Sequence, residues 1–384
     1  MNKPHRGQRL GVYVHFPWCR RLCPYCDFAV EVVPKEPPHT AYRDEILVEL
    51  EARAEPFAGP PLVSIYFGGG TPSRWRPDCL ADVVTRIAQR FAAAPASLEI
   101  TLEANPIDCT AVQLDAWAAA GINRISIGVQ SLTATELTRL GRDHRMGDGL
   151  AAVELVARDG RFIVSCDIIF GTPSGGVPVA PESWVPILTA LPLQHLSVYE
   201  LTIEARTVFG KQAQLGKLRT YDEDVLADLY TRTHDLLTDQ GFEHYEISSY
   251  ARPGYQALHN SLYWTGDDFL GLGVGAASFR TLADGSAQRS TNPRRYQQYT
   301  QTPRVLDVMH STANQRAADL LWLGLRTTVG VSQRDLARCA GLEAILVAQG
   351  LVRCVGDRVI PTLRGFLLAD YVAGRIVQAA PADP

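Results

Sequence analysis

No run of about 18 uncharged apolar residues occurs in the chain, which argues against a helical membrane span. The opening stretch MNKPHRGQRLGVYVHF lacks the apolar core of a secretory signal, so the expected compartment is the cytoplasm. Charge of one sign is also missing: 37 Lys and Arg against 41 Asp and Glu leave a formal −4, so no global basic field recruits nucleic acid. There is no internal repeat and no low-complexity tract. Cysteine is sparse, 8 in 384 residues, and in a reducing compartment a disulfide framework is not expected. These absences leave neither a nucleic-acid partner nor an integral membrane segment; peripheral membrane contact stays open.

What is present is an ordinary globular composition, 46% hydrophobic and 20% charged, long enough for two or three domains. Short β-rich runs recur at 11–16, 62–67, 98–103, 124–130, 161–170 and 193–202, each followed by a helical stretch. Strand alternating with helix implies parallel strands and right-handed crossovers, so the expected fold is α/β, an open doubly wound sheet or a partial barrel of six β/α units. Polar and glycine-rich residues cluster just after these strands, where α/β folds build their sites.

A helix near 222–240 and a strand over 244–250 follow, then a glycine-rich passage. From about 300 onward the pattern becomes helices at 318–328 and 332–341, a β pair in 350–362 and a last helix over 364–377, as in a winged-helix-like module. The expected division is therefore 1–250 for the barrel, 251–300 for a connecting segment and 301–384 for a C-terminal helical domain. The tail 378–384 is expected to fray.

Three cysteines fall within eight positions, CRRLCPYC, as Cys19, Cys23 and Cys26. Structural zinc takes four protein ligands, and His15 could supply a fourth, but no second CxxC or HxxxH accompanies the trio. An iron–sulfur cube needs one external ligand per iron, so three cysteines leave one iron free to bind something else. Cys79, Cys109, Cys166, Cys339 and Cys354 stand singly and read as small buried hydrophobes.

The C-x3-C-x2-C after a first strand resembles the signature of the radical S-adenosylmethionine (SAM) superfamily, and YVHFPWCRRLCPYCDF is similar to the oxygen-independent coproporphyrinogen III oxidase-like group within it. Later motifs agree in order and spacing along nearly the whole chain. The resemblance implies a partial (β/α)6 barrel of the TIM type with a C-terminal domain, a [4Fe-4S] cluster on the three cysteines, and SAM chelating the open iron. Gly68, Gly69, Gly70 and Thr71 of GGGTP would let backbone approach the cofactor's methionyl ammonium. Glu103 of LEANP suits a cationic amine or sulfonium, Gln130 ends the fourth strand, Arg142 would bind the methionyl carboxylate as a planar fork, and Asp167 a ribose hydroxyl. Tyr13 matches a family tyrosine near cluster and cofactor.

Within the group, CDF with Asp27 and Phe28 is similar to the HemW-type haem-chaperone members, whereas the oxidases carry a further cysteine two positions after the third. HNSLYW resembles the HNxxYW element of that type and implies haem contacts at His259, Tyr263 and Trp264. Many relatives have a histidine where this chain has Ala277. Two readings of activity stay open: a chaperone that carries haem as cargo to a haem-requiring acceptor, or a radical enzyme acting on a porphyrin-type substrate. Either implies a flavodoxin-like or ferredoxin-like electron donor; a zinc-stabilised barrel without redox role is the third reading.

Overall fold

The computed structural model describes residues 9–173, 175–301 and 304–381. The expected frayed tail lies in part outside these residues, at 382–384, as do the first eight positions. Six strands follow the expected series: β1 (Leu10–Phe16), β2 (Leu62–Gly69), β3 (Glu99–Ala104), β4 (Arg124–Gln130), β5 (Ile163–Phe170) and β6 (His195–Glu200). They pair in that order, all parallel. The fold is α/β, a partial barrel with a helical C-terminal module.

The sheet is larger than six strands. The expected strand over 244–250 is two short ones, β7 (Glu243–Glu246) and β8 (Ser249–Ala251), and β8 joins β6 antiparallel. The segment 251–300, expected to connect and to carry the HNxxYW element, supplies three further strands, and the region expected as the C-terminal domain supplies a fourth. β9 (Asp268–Leu272) lies parallel to β1, and β10 (Ala277–Thr281), β11 (Ala287–Thr291) and β12 (Asp307–Ser311) extend the sheet antiparallel to twelve strands. This extension is fastened by a buried network in which Glu49 accepts from Arg53, Asn292 and Tyr299, so a fully buried carboxylate is paired and hydrogen-bonded as burial requires.

Strand alternation separates two chemistries. Ile65 and Phe67, Ile100 and Leu102, Ile125 and Ile127, and Leu196 and Val198 turn outward into the hydrophobic core formed with the helices. The intervening positions Tyr66, Thr101, Glu103, Arg124, Ser126, Ser165, Asp167, His195, Ser197 and Tyr199 line a lumen. An ordinary β/α barrel fills its interior with branched aliphatic side chains; here these lumen-facing positions are largely polar side chains around an open cavity.

Beyond the sheet, a second core gathers Leu321, Leu336, Leu346, Val359 and Ile376. Three short strands, Val331–Ser332, Val352–Val355 and Arg358–Pro361, pair beside the helices Ala313–Gly324 and Ala369–Ala379. No helix among the described residues is long and apolar enough to cross a membrane.

Candidate functional site

The lumen is about 370 Å³ and opens at the carboxyl ends of the strands, where the cysteine loop after β1 covers it. Cys19, Cys23, Cys26, Gly69, Gly70, Thr71, Glu103, Gln130, Arg142 and Asp167 all line this one cavity. Tyr13 and Gly68 sit just behind its wall. The Tyr13 ring stacks on Tyr66 with centroids 6.0 Å apart, and its hydroxyl is 2.9 Å from His15 Nδ1.

The glycines have a reason the sequence did not show. A Cβ on Gly70 would come within 3.0 Å of Cys19 Sγ and 2.9 Å of the Pro17 carbonyl; one on Gly68 would press on Tyr13, Tyr66 and Glu103. Gly69 has φ +113°, and its Cβ would meet the His15 ring. The run is therefore glycine because the cysteine loop and the lumen wall pack directly on it.

Carboxylates are set by burial. Glu103 accepts from the Tyr66 hydroxyl at 2.9 Å and from the Gly69 amide at 3.0 Å. Burial, with the Asp167 charge adding to it, nevertheless pushes the Glu103 carboxyl up to about 7 against these hydrogen bonds. Asp167 accepts from Ser126 Oγ at 3.0 Å and is raised to about 6, again by burial, against hydrogen bonds from Ser197 and Ser126.

Gln130 is held at φ +67°, in the left-handed region, where the pairing with β5 slips between Ile127 and Gln130. A bulge of this kind re-aims a side chain, and a left-handed non-glycine residue stores strain that surrounding structure must hold. Arg142 donates to the Gly128 carbonyl at 3.0 Å and lies 3.8 Å from Cys23 Sγ, while its Nε is buried with no hydrogen-bond partner. Of the guanidinium nitrogens, Nε alone is without a partner among the described residues.

The three thiols can hold a shared group, and the surroundings fit a cluster better than a lone ion. Among the described residues no three His, Cys, Asp or Glu side chains converge on a single metal position. His15, the candidate fourth zinc ligand, has both ring nitrogens engaged, by Tyr13 and by the Ala29 carbonyl at 2.9 Å. Burial pushes the Cys19 thiol up to about 11, opposed by a hydrogen bond from Thr71.

The haem expectation fares differently. His259 lies on the helix Leu258–Thr265, which closes the opposite end of the barrel: the Leu258 and His259 amides donate to Glu99, the first residue of β3. Its ring is 1% exposed, with Nδ1 2.9 Å from Ser64 Oγ and Nε2 2.9 Å from Tyr263 Oη. Burial lowers it to about 3, so it stays neutral. Both His259 nitrogens are spent inside the floor, so its ring is not open to a haem iron in this fold; Tyr263 and Trp264 are half-buried, and none of the three lines the lumen. Ala277 begins β10, its carbonyl packed against Gly271.

The Radical SAM superfamily profile matches residues 13–174. "Heme chaperone HemW" of Escherichia coli is 37% identical over 287 residues, 74% of this chain and 74% of that protein. The chain belongs to the HemW group of the radical SAM superfamily. "Heme chaperone HemW" of Synechocystis is 35% identical over 91% of this chain and 85% of its own length. The solved coproporphyrinogen III oxidase HemN of Escherichia coli superposes with a TM-score of 0.77 at 23% identity, covering 96% of this chain and 90% of that one, a likeness of fold. Membership of the superfamily implies a [4Fe-4S] cluster and SAM.

Sequence reasoning missed Tyr66, Ser126, Ser197 and Arg124. A signal was available: polar residues at every second position of strands whose other positions are aliphatic, as in Arg124-x-Ser126-x-Gly128-x-Gln130.

Proposed function

We propose that Cys19, Cys23 and Cys26 hold a [4Fe-4S] cluster with one open corner, and that the lumen beneath it takes SAM. The observation carrying this reading is the convergence, in one cavity with the three thiols, of Glu103, Gln130, Arg142 and Asp167 from three different strands and a following loop. The Arg142 guanidinium, with its Nε unpartnered, suits the methionyl carboxylate. Glu103, partly ionised near neutral pH, suits the ammonium or sulfonium, and Asp167 a ribose hydroxyl. Gln130, aimed inward by its bulge, supplies a neutral donor and acceptor. Tyr13, Gly68, Gly69, Gly70 and Thr71 shape the wall that positions cofactor against cluster. When bound, the pair supplies one-electron reduction of the sulfonium, the chemistry of the superfamily.

The relatives' name extends the proposal: the protein carries haem as cargo and passes it to a haem-requiring acceptor, with a small flavodoxin-like or ferredoxin-like protein as electron donor. Burial of the His259 ring, with both nitrogens hydrogen-bonded, favours a haem contact elsewhere on the protein.

The test is anaerobic reconstitution followed by EPR of the reduced protein. About four irons and four sulfides per chain, with a spectrum altered by SAM, are expected; a spectrum indifferent to SAM sinks the cofactor reading. A Soret-band titration then tests haem, and conversion of coproporphyrinogen III to a divinyl product would replace the chaperone reading with an oxidase.

A further inference from the structure

We propose that the floor of the lumen is a separate subsite for a carboxylate-bearing small molecule, formed by Arg124, Thr101 and Asn260. Arg124 and Thr101 are register partners on β4 and β3, 2% and 1% exposed, and both line the cavity. Arg124 Nη2 and Thr101 Oγ1 are buried with no hydrogen-bond partner. Asn260, the second residue of the HNxxYW element, also lines the cavity from the floor helix.

A buried guanidinium without a hydrogen-bonded counter-ion is costly. Glu99 forms an ion pair with Arg124 at 3.9 Å but stands beyond hydrogen-bond reach, its two oxygens accepting from the Leu258 and His259 amides. Among the described residues, the side-chain hydrogen bond that Arg124 makes is from Nη1 to the Tyr255 carbonyl at 3.2 Å. Asp167, nearer the mouth on β5, accepts from Ser126 and is also hydrogen-bonded by Ser197. The floor thus offers an unpartnered guanidinium nitrogen, a hydroxyl and a carboxamide lining the same cavity.

That donor set fits a planar monoanion with two oxygens. A phosphate dianion would meet a single cation here, with Glu99 and Asp167 close by to repel it. In HNxxYW, then, the side chain turned to the lumen is Asn260, while His259 and Tyr263 lock the helix that presents it.

The test uses the full chain as purified without iron, so that it does not depend on the cluster; the EPR experiment above reports on that reading separately. Carbon-13 acetate is titrated at constant ionic strength and followed by saturation-transfer NMR. Saturable binding, weakened at least fivefold by Thr101→Val and by Asn260→Ala, is expected, with circular dichroism confirming that both variants fold. Arg124→Met should abolish binding; if that variant does not fold, the other two decide. No saturable binding, or binding unchanged in Thr101→Val and Asn260→Ala, overturns the subsite, and displacement of acetate by equal concentrations of inorganic phosphate overturns its assignment to carboxylates.

Discussion

The Tyr66 hydroxyl donates to Glu103 Oε1 at 2.9 Å, tying the second strand to the third at the level where the glycine run begins. The bond fixes one carboxylate oxygen, the Gly69 amide fixes the other, and burial still keeps the group near 7. Its ordinary value is 4.5, so between about 4.5 and 7 the carboxyl ionises in the unfolded chain but holds its proton in the fold. This group's contribution to stability is therefore fully present at low pH and lost as pH rises through that window. Binding of a cation reverses the preference. SAM affinity should increase about tenfold from pH 6 to pH 8 as the ionised fraction grows, and the increase should vanish in Glu103→Gln. Equilibrium dialysis of the reconstituted protein at both pH values is the measurement.

Arg142→Lys retains the charge but loses the planar fork and its unpartnered Nε. SAM should bind about 10–100-fold more weakly, in keeping with loss of one charge-assisted hydrogen bond, while iron content stays at the parent level. Unchanged affinity would remove Arg142 from the site.

Gln130 separates stability from binding. Its left-handed backbone should relax in Gln130→Gly, raising stability by about 1 kcal/mol, while SAM affinity falls because the inward amide is gone. Urea unfolding and a SAM titration on the same variant read the two effects, which should have opposite signs.

For the floor, His259→Ala removes a buried ring and leaves Ser64 Oγ and Tyr263 Oη unpaired. A loss of about 2–4 kcal/mol is expected by chemical unfolding. Haem binding should survive at temperatures where the variant is folded, with an unaltered Soret position; a shifted Soret band in folded His259→Ala would restore that histidine as an axial ligand.

Serine at Cys19, Cys23 or Cys26 should each abolish iron–sulfur absorbance. Cys354→Ser should not, since Cys354 lies exposed on a short strand of the C-terminal module.

The parallel strand series was legible because parallel strands buried against helices carry their aliphatic periodicity in the chain itself, and the Cys19–Cys26 spacing is a local fact of one loop. Hence fold class and the three thiols required nothing beyond the sequence. Tertiary structure alone decided the rest. Glycine at 68–70 answers to atoms of Pro17, Cys19 and His15, and β9 joins the sheet across more than 250 residues of chain. Whether His259 or Asn260 faces the lumen depends on how one helix seats under β1, β2 and β3. Contacts of that kind follow from which surfaces meet, and no local pattern along the chain records them.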